Sequence, residues 1–386
     1  MSGPEVCLLP RRIRRGAALT LVFATVLATA AATNALPHDG DVEQSRTLAA
    51  RPAGATVDQE AVARAAAAAV AEGKSGAKAA GEVVSRSGDR WGAVYDQQEY
   101  KTFQQALDGE YTGVGLWARR SEDGRVEVAK VQPGGPADDA GVKAGDRLRA
   151  IDGLAVDDRP VTDVVALLRG KERTRVNLGL ERADRSWTRT LTRRTLSTES
   201  VTVRHLRGGA VMIRVAAFTR GSGARVQEAV RRAPHGAGVL LDLRGNAGGL
   251  VTEAVAAASA FLDGGLVATY DMRGDQQALY ADPGGDTDRP VVALVDGGTM
   301  SAAELVTGAL QDRGRAITVG SRTFGKGSVQ MPSTLPDGSV AELTVGHYRT
   351  PSGQSVDGEG ITPDVAADHG AEEQAQTVLG GLGTGS

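Results

Sequence analysis

The chain has 386 residues, of which 41% are hydrophobic, and a formal net charge of −3. This length allows two or three domains with buried cores. The lysines and arginines are scattered and form no stripe interleaved with aromatic residues, so no nucleic-acid partner is indicated. The single cysteine, Cys7, excludes an intrachain disulfide and a cysteine-based zinc site.

The N-terminus has the pattern of an export segment. Arginines between Arg11 and Arg15 precede an apolar run from Gly16 to about Ala32, which small residues follow. Residues 1–35 are predicted to be a signal peptide cleaved near Ala32 or Ala35, or an uncleaved membrane anchor, because the run approaches the roughly 20 residues that span a bilayer. Both alternatives place the body of the protein outside the cytoplasm, either secreted or anchored to the outer face of the cytoplasmic membrane.

A polar, irregular stretch and an alanine-rich stretch follow. Residues 36–56 are predicted to be a linker, and residues 57–110 a helical segment. An N-cap aspartate and helix-forming residues predict a helix within Asp58 to Glu72. A further helix is predicted across Gln97–Leu107.

Residues 111–183 change character and predict a small module of short strands. Val126–Val131 alternates apolar and polar residues as a half-buried strand does. A strand at Leu148–Ile151, a helix at Val161–Arg169 and a strand at Thr174–Leu180 follow. The pattern Pro-Ala, Ala-Gly-Val and Gly-Asp between residues 136 and 146 resembles that of a PDZ domain. In that family a glycine loop presents backbone amides to a peptide's C-terminal carboxylate, and here that loop would be Gly113, Val114, Gly115 and Leu116.

Residues 184–368 alternate between strands and helices, which predicts an α/β layer. Strands are predicted at Val211–Val215, at 238–243 and at Val291–Val295. Helices are predicted at Ser222–Arg232, at 251–262 and from Ser301 to about Gln311. The run 238–243 is apolar on both faces, as in a covered parallel sheet. Residues 369–386, rich in glycine, alanine and glutamine, are predicted to be a disordered tail.

Two residues of this α/β region, Ser301 and Lys326, carry a candidate chemistry. A serine hydroxyl becomes a good nucleophile when a base takes its proton, and a lysine is such a base when burial makes its amine neutral. Lowering a lysine pKa to about 7 costs roughly 4–5 kcal/mol, so the lysine needs a dry pocket. Gln330, four residues on, would orient the amine without adding charge. The histidines leave a Ser-His-Asp triad open, although no Gly-x-Ser-x-Gly elbow supports one.

A phosphate-binding loop is the sharpest rival interpretation of the lysine. Gly320 and Gly325-Lys326 have nearly the spacing of such a loop. However, Gly327 occupies the position of the magnesium-binding hydroxyl residue, and the residues that follow predict a strand and not the helix that holds phosphate. Nucleotide binding is therefore disfavoured.

Taken together, the motifs from about Asp89 to Val365 resemble those of the C-terminal processing (tail-specific) serine peptidases. The resemblance rests on the PDZ-like module, on Leu-Asp-Leu-Arg-x-Asn-x-Gly-Gly, on the serine turn and on Thr-Phe-Gly-Lys-Gly-Ser-Val-Gln. It implies a crotonase- or ClpP-like α/β core with an inserted PDZ domain. By position it implies three catalytic residues, Ser301 as nucleophile, Lys326 as general base and Gln330 as its orienting residue. It also implies an oxyanion hole formed by backbone amides of Gly248 or Gly249 and of Ala302.

The chain departs from the family pattern at two positions near the site. Met300 is bulkier than the family's usual residue and is expected to narrow the site. Ala247 replaces a proline in the glycine turn, so that turn is expected to be less rigid. Neither departure removes a catalytic group. Arg169 lies where some relatives link the PDZ domain to the active site, and a solvated arginine at a helix end is an equal alternative.

These observations predict an exported serine endopeptidase that cleaves proteins near unstructured, free C-terminal tails and requires no metal or other cofactor. Membrane association through the N-terminal segment is expected only if that segment is an uncleaved anchor. A catalytically silent PDZ adaptor that binds C-termini is the alternative from another class. A crotonase-type acyl-CoA enzyme would share the fold, but it would not need the PDZ-like module. The sequence leaves open the natural substrate, the oligomeric state and whether the PDZ domain activates or inhibits.

Overall fold

The structure, a computed structural model, describes residues 58–121, 123–272 and 275–383. The predicted signal peptide or anchor and the predicted linker lie outside the described residues. Within them, no helix has both the length and the apolar character needed to cross a bilayer. The described chain divides into two compact units, one comprising Thr112–Leu196 and the other comprising residues 58–111 and 197–383.

The N-terminal part of the larger unit is helical, as the alanine-rich composition predicts. Its elements are α1 (Gln59–Ala71), α2 (Gly76–Ser87), β1 (Ala93–Tyr95), α3 (Gln97–Leu107) and β2 (Glu110–Gly113). The Asp58 side chain caps α1 by accepting from the Glu60 amide. One face of α1 and one face of α2 pack against residues near the C-terminal end of the chain. The buried cluster that they form comprises Val62, Ala66, Ala80, Val84, Leu335, Ala341 and Leu343.

The smaller unit is an antiparallel sheet with one longer helix and one short helix. Its elements are β3 (Leu116–Arg120), β4 (Val126–Val131), α4 (Pro136–Asp139), β5 (Arg147–Ile151), β6 (Leu154–Ala155), α5 (Val161–Leu168), β7 (Arg175–Arg182), β8 (Arg185–Thr192) and β9 (Arg194–Ser197). The sheet order is β3-β4-β5-β7-β8, with β6 on β5. The unit extends beyond the predicted end at residue 183, because β8 pairs with β7 along its whole length.

The remaining elements of the larger unit follow the predicted β-α rhythm. They are β10 (Val201–His205), β11 (Val211–Val215), α6 (Ser222–Arg232), β12 (Val239–Asp242), α7 (Val251–Ala258), β13 (Leu266–Met272), β14 (Asp275–Tyr280), β15 (Val291–Val295), α8 (Ala302–Asp312), β16 (Ile317–Gly320), β17 (Ser328–Thr334), β18 (Val340–Arg349), β19 (Val365–Ala366) and α9 (Ala371–Gly383). A short 3₁₀ turn at Arg207–Gly209 precedes β11. The helix predicted across 251–262 ends at Ala258, while the other predicted boundaries of this region match the structure or differ from it by one residue.

A six-stranded sheet, in the order β10-β11-β12-β15-β16-β19, forms the centre of this unit. All its neighbouring strands are parallel except the edge pair β10–β11. Because successive side chains of a strand point to opposite faces, Ile213 and Leu241 pack beneath α6, α7 and α8, whereas Met212 and Leu240 pack beneath α9. Both faces are therefore covered, which accounts for the continuous apolar run in β12.

A second, antiparallel sheet of this unit has the order β1-β18-β13-β14, with β17 also paired to β18. Strand β18 packs against the N-terminal helices α1 and α2, and it pairs with β17, the strand that follows Lys326. Ala341 and Leu343 point into the buried cluster with α1 and α2. The intervening residue, Glu342, points to the opposite face.

The prediction of a disordered tail over residues 369–386 is wrong, because residues 371–383 form helix α9. Ala375 and Leu379, four residues apart and thus on one helical face, are 0% and 5% exposed against β12, β15 and β16. The glycines lower the helix propensity of this stretch, but burial of that apolar face overrides the local preference.

Replacing Leu379 by alanine is expected to lower the free energy of unfolding by about 2–4 kcal/mol, because a buried leucine leaves a cavity. Urea unfolding followed by circular dichroism measures the change. The exposed neighbour Gln374, replaced by alanine, should change stability by less than about 0.5 kcal/mol. Equal stabilities for both variants would show that α9 does not pack on the sheet.

Candidate active site

Ser301 follows the carboxyl end of β15 after the turn formed by residues 296–300, and it is the N-cap residue of α8. In open parallel sheets this edge is where ligands bind. The serine has φ 56° and ψ −118°, a backbone conformation that an L-residue rarely adopts and that costs about 1–3 kcal/mol. Its amide donates to Glu304 Oε2 at 2.9 Å, and its carbonyl accepts from the Tyr348 hydroxyl at 3.0 Å and from the Glu304 and Leu305 amides at 2.8 and 3.0 Å. The strained turn thus holds a half-buried serine between a strand and a helix.

Lys326, two residues before β17, is 8% exposed. Its Nζ lies 4.9 Å from the centroid of the Trp91 ring. Burial lowers the pKa of Lys326 to about 8, although Glu342, Asp89 and Glu304 act in the opposite direction. The lysine therefore has the dry pocket that a neutral amine requires.

The buried carboxylate of Glu304 ties these two residues together. Its Oε2 accepts from the backbone amides of both Ser301 and Lys326, each at 2.9 Å. Its Oε1 accepts from Thr323 Oγ1 at 2.6 Å and from the Gly325 amide at 2.7 Å. The two amide nitrogens thus lie within twice a hydrogen-bond length of each other. Burial raises the pKa of Glu304, while these four donors lower it.

Glu304 had no assigned role in the sequence prediction. A signal for it exists, since Ser301 and Glu304 have the Ser-x-x-Glu spacing of a helix capping box. That pattern accounts for the bond to Ser301, but it carries no information about Lys326. The second half of the bridge depends on the tertiary fold, which brings the loop of residues 323–326 beside the first turn of α8.

Gln330 lies at a bulge in the β17–β18 pairing. Its Nε2 donates to Ser328 Oγ at 2.8 Å and to Thr344 Oγ1 at 3.2 Å. Both amide hydrogens are used, so Oε1 is the atom left to accept from a lysine amine. The assignment of Gln330 as the orienting residue of Lys326 stays a prediction.

The glycine turn after β12 packs directly against the serine turn. A Cβ on Gly248 would lie 3.0 Å from Ser301 Cβ and 3.1 Å from the Ala302 nitrogen, so only glycine allows this approach. The Gly248 amide already donates to Asn246 Oδ1 at 2.9 Å. Within the described part of the chain, the amides of Gly249 and Ala302 have no acceptor. These two are the better candidates for binding an oxyanion, and Gly248 provides the space.

The predicted peptide-binding loop belongs to the smaller unit. It joins β2 to β3, and the carbonyls of Val114 and Gly115 accept from the amides of Ala137 and Gln132, both at 2.8 Å. Among the described residues no acceptor faces the Val114 and Gly115 amides. The flanking residues Gly113 and Leu116 end β2 and begin β3, which is an edge strand of its sheet. An exposed edge next to unpaired amides suits the addition of a peptide strand.

Comparisons with known proteins agree with this architecture. Residues 209–367 match peptidase family S41, and residues 127–182 match a PDZ domain. The solved structure of a photosystem II D1 C-terminal processing protease is 30% identical in sequence to this chain and superposes on it with a TM-score of 0.50. The match spans 80% of this chain and 86% of the protease. The chain belongs to peptidase family S41. Within this family it is similar to the C-terminal processing proteases and carries their PDZ domain.

Curated members of the family show the same degree of similarity. The carboxy-terminal processing protease CtpA of Bacillus subtilis is 31% identical over 285 residues, which are 72% of this chain and 61% of the relative. A probable CtpA-like serine protease of Staphylococcus aureus is 31% identical over 72% of this chain and 57% of its own length. The chain therefore spans about 60% of these relatives. The predicted family and the predicted α/β fold with a PDZ domain are confirmed.

Replacing Glu304 by glutamine is expected to lower the free energy of unfolding by about 2–3 kcal/mol. One oxygen becomes an NH₂ group that opposes buried N–H or O–H donors, which are then left unsatisfied. Urea unfolding measures the loss, with the exposed Glu359→Gln as the matched control. A Glu304→Gln variant as stable as that control would contradict the bridging role.

Proposed function

We propose that the protein is a serine endopeptidase with a Ser301–Lys326 catalytic pair. The bridge made by Glu304 Oε2 carries this proposal, because one buried atom fixes the backbone of both the strained serine and the buried lysine. The lowered pKa of Lys326 supports it, since a sizeable fraction of the amine is neutral near pH 8.

In the proposed reaction the neutral Lys326 amine takes the Ser301 proton as Oγ attacks the scissile carbonyl carbon. The oxygen of the tetrahedral intermediate would accept from the Ala302 and Gly249 amides, and losing one such donor typically costs 10²–10³ in rate. The Lys326 ammonium then gives its proton to the leaving amine. In the second half, the regenerated amine activates the water that hydrolyses the acyl-enzyme.

The proposed substrates are proteins with free, unstructured C-terminal tails. The names of the relatives describe carboxy-terminal processing, and the loop at Gly113–Leu116 with the edge strand β3 supports the same activity for this chain. The tail would add a strand to β3 while its carboxylate accepts from the Val114 and Gly115 amides. The basic and apolar pattern of residues 11–32 supports an extracytoplasmic location, with membrane association through that segment.

Cleavage of a folded reporter carrying a flexible apolar C-terminal tail tests this proposal. Ser301→Ala and Lys326→Ala are each expected to lower kcat/KM by at least about 10³-fold, because neither half of the pair works alone. Cleavage that survives Ser301→Ala would identify a different nucleophile. If the parent protein and both variants bind the tail and none of them cleaves the reporter, the adaptor alternative would be supported.

The pH dependence of the same reaction gives an independent check. With the pKa of Lys326 at about 8, protonation removes the base on acidification. The value of kcat/KM should therefore fall about tenfold for each pH unit well below 8. Initial rates in buffers of constant ionic strength measure this limb. A rate that stays constant down to about pH 6 would exclude a lysine base.

A further inference from the structure

Strand β10 forms one edge of the central sheet, and half of its backbone groups point away from that sheet. Ser200 and Leu206, which flank β10, each bond to a residue that flanks β11, both at 2.8 Å. Hydrogen bonds between antiparallel strands fall on every second residue, so the even-numbered residues of β10 face β11. The N–H and C=O groups of Val201, Val203 and His205 therefore face outward. Within the described part of the chain they have no hydrogen-bond partner.

This edge has few of the features that keep edge strands from pairing with other strands. Natural edge strands are commonly very short, or they carry a bulge, a proline or exposed charges. Strand β10 has five residues, none of them proline, and pairs with β11 without a bulge. Val203, at its centre, is 49% exposed. The charge of Arg204 is directed to Glu372 of α9. At the opposite edge of the same sheet, β19 has two residues.

A largely apolar groove lies beside this edge, between β10 and helix α6. The side chains of Val201, Val203 and His205 share one face of the strand and line the groove on one side. Helix α6 lines the other side, with Arg225 and Glu228 among its residues there. The helix packs on both β10 and β11 and leaves the outer side of β10 open. A sheet that continued beyond β10 would close this groove.

Two residues of opposite charge flank β10 at equal distances from its centre. Glu199 lies four residues before Val203, Arg207 lies four residues after it, and both are exposed. Neither side chain makes an ion pair or a hydrogen bond with the residues that the structure describes. Within one chain the two residues are more than about 20 Å apart, because they stand at opposite ends of an extended strand. They therefore do not neutralise each other.

We infer that the β10 edge is the interface of a symmetric dimer, in which β10 pairs antiparallel with β10 of a second copy of this chain. Val203 lies opposite Val203 of the second copy, and Val201 lies opposite His205. The outward-facing backbone groups of the two strands then bond to one another, and the two central sheets become one continuous sheet. In the same register, Glu199 of each chain lies opposite Arg207 of the other. The occupant of the edge is thus complementary in charge as well as in hydrogen bonding.

The two α6 helices meet across the same two-fold axis. Neighbouring strands lie about 4.8 Å apart, and each α6 packs over its own β10 and β11. The helices are therefore expected about 10 Å apart, which is close to the interaxial distance of packed helices. Together they cover the groove and remove the Val203 side chain from water. A single extended peptide would bond to the edge, but it would supply no second helix, so the second copy is the better fit.

Sedimentation velocity of the full chain over a range of protein concentrations tests this inference. A monomer–dimer equilibrium is expected. Glu199→Arg and Arg207→Glu each turn two attractive pairs of the symmetric dimer into repulsive ones, so each should raise the dimer Kd about tenfold. The double variant restores opposite charges across the interface and should return the Kd to that of the parent. Because the two positions are distant within one chain, such a rescue requires the second copy.

Val203→Lys brings two like charges together at the centre of the interface and should leave the protein monomeric where the parent is dimeric. Val70→Lys, at a 42% exposed valine of α1, is the matched control and should dimerise as the parent does. Circular dichroism verifies that each variant is folded, and the charge variants decide the question if Val203→Lys is not. A parent that stays monomeric at every concentration would overturn the inference. A dimer whose Kd resists Val203→Lys and both single charge changes would overturn it as well, since that dimer uses another surface.

Discussion

The candidate site depends on one buried carboxylate, that of Glu304. It is fully buried, and its two oxygens accept from four donors on the serine turn and the lysine loop. A residue other than glycine keeps a positive φ only when its surroundings hold it there. The Glu304 carboxylate does so at Ser301, because it accepts a hydrogen bond from the amide of this strained residue. Without it, nothing else among the described hydrogen bonds joins the Ser301 amide to the Lys326 amide.

The second constraint is the free-energy cost of burying the Lys326 amine away from water. Moving its pKa from 10.5 to about 8 corresponds to roughly 3–4 kcal/mol at 1.36 kcal/mol per unit. That is a large fraction of the stability of an ordinary domain, so the surrounding core must offset it. The Trp91 ring, with its centroid 4.9 Å from Lys326 Nζ, covers part of the amine. The carboxylates near Lys326 limit how far the shift goes.

Much of this was predictable from sequence, because the informative features are local. The buried strand before the glycine turn, the Ser301 turn and the Gly325-Lys326 motif predicted the family and the parallel sheet. The comparisons confirm the family, and the strand pairing confirms the parallel sheet. Long-range contacts were not predictable. The bridge from Glu304 to Lys326 joins elements that only the tertiary fold brings together, and the use of the Gly248 amide by Asn246 depends on a side-chain rotamer. Helix α9 was missed because its stability comes from burial and not from propensity.

The most direct test of the central claim is covalent labelling of the nucleophile. A fluorophosphonate reacts with a serine only when a base removes its proton, so the labelling rate reports the pair without requiring the natural substrate. Intact-mass and peptide mapping across pH should place the label on Ser301, with a rate that rises through a single ionisation near pH 8. A label on another residue, or a Ser301 labelling rate independent of pH, would contradict a serine activated by a buried lysine.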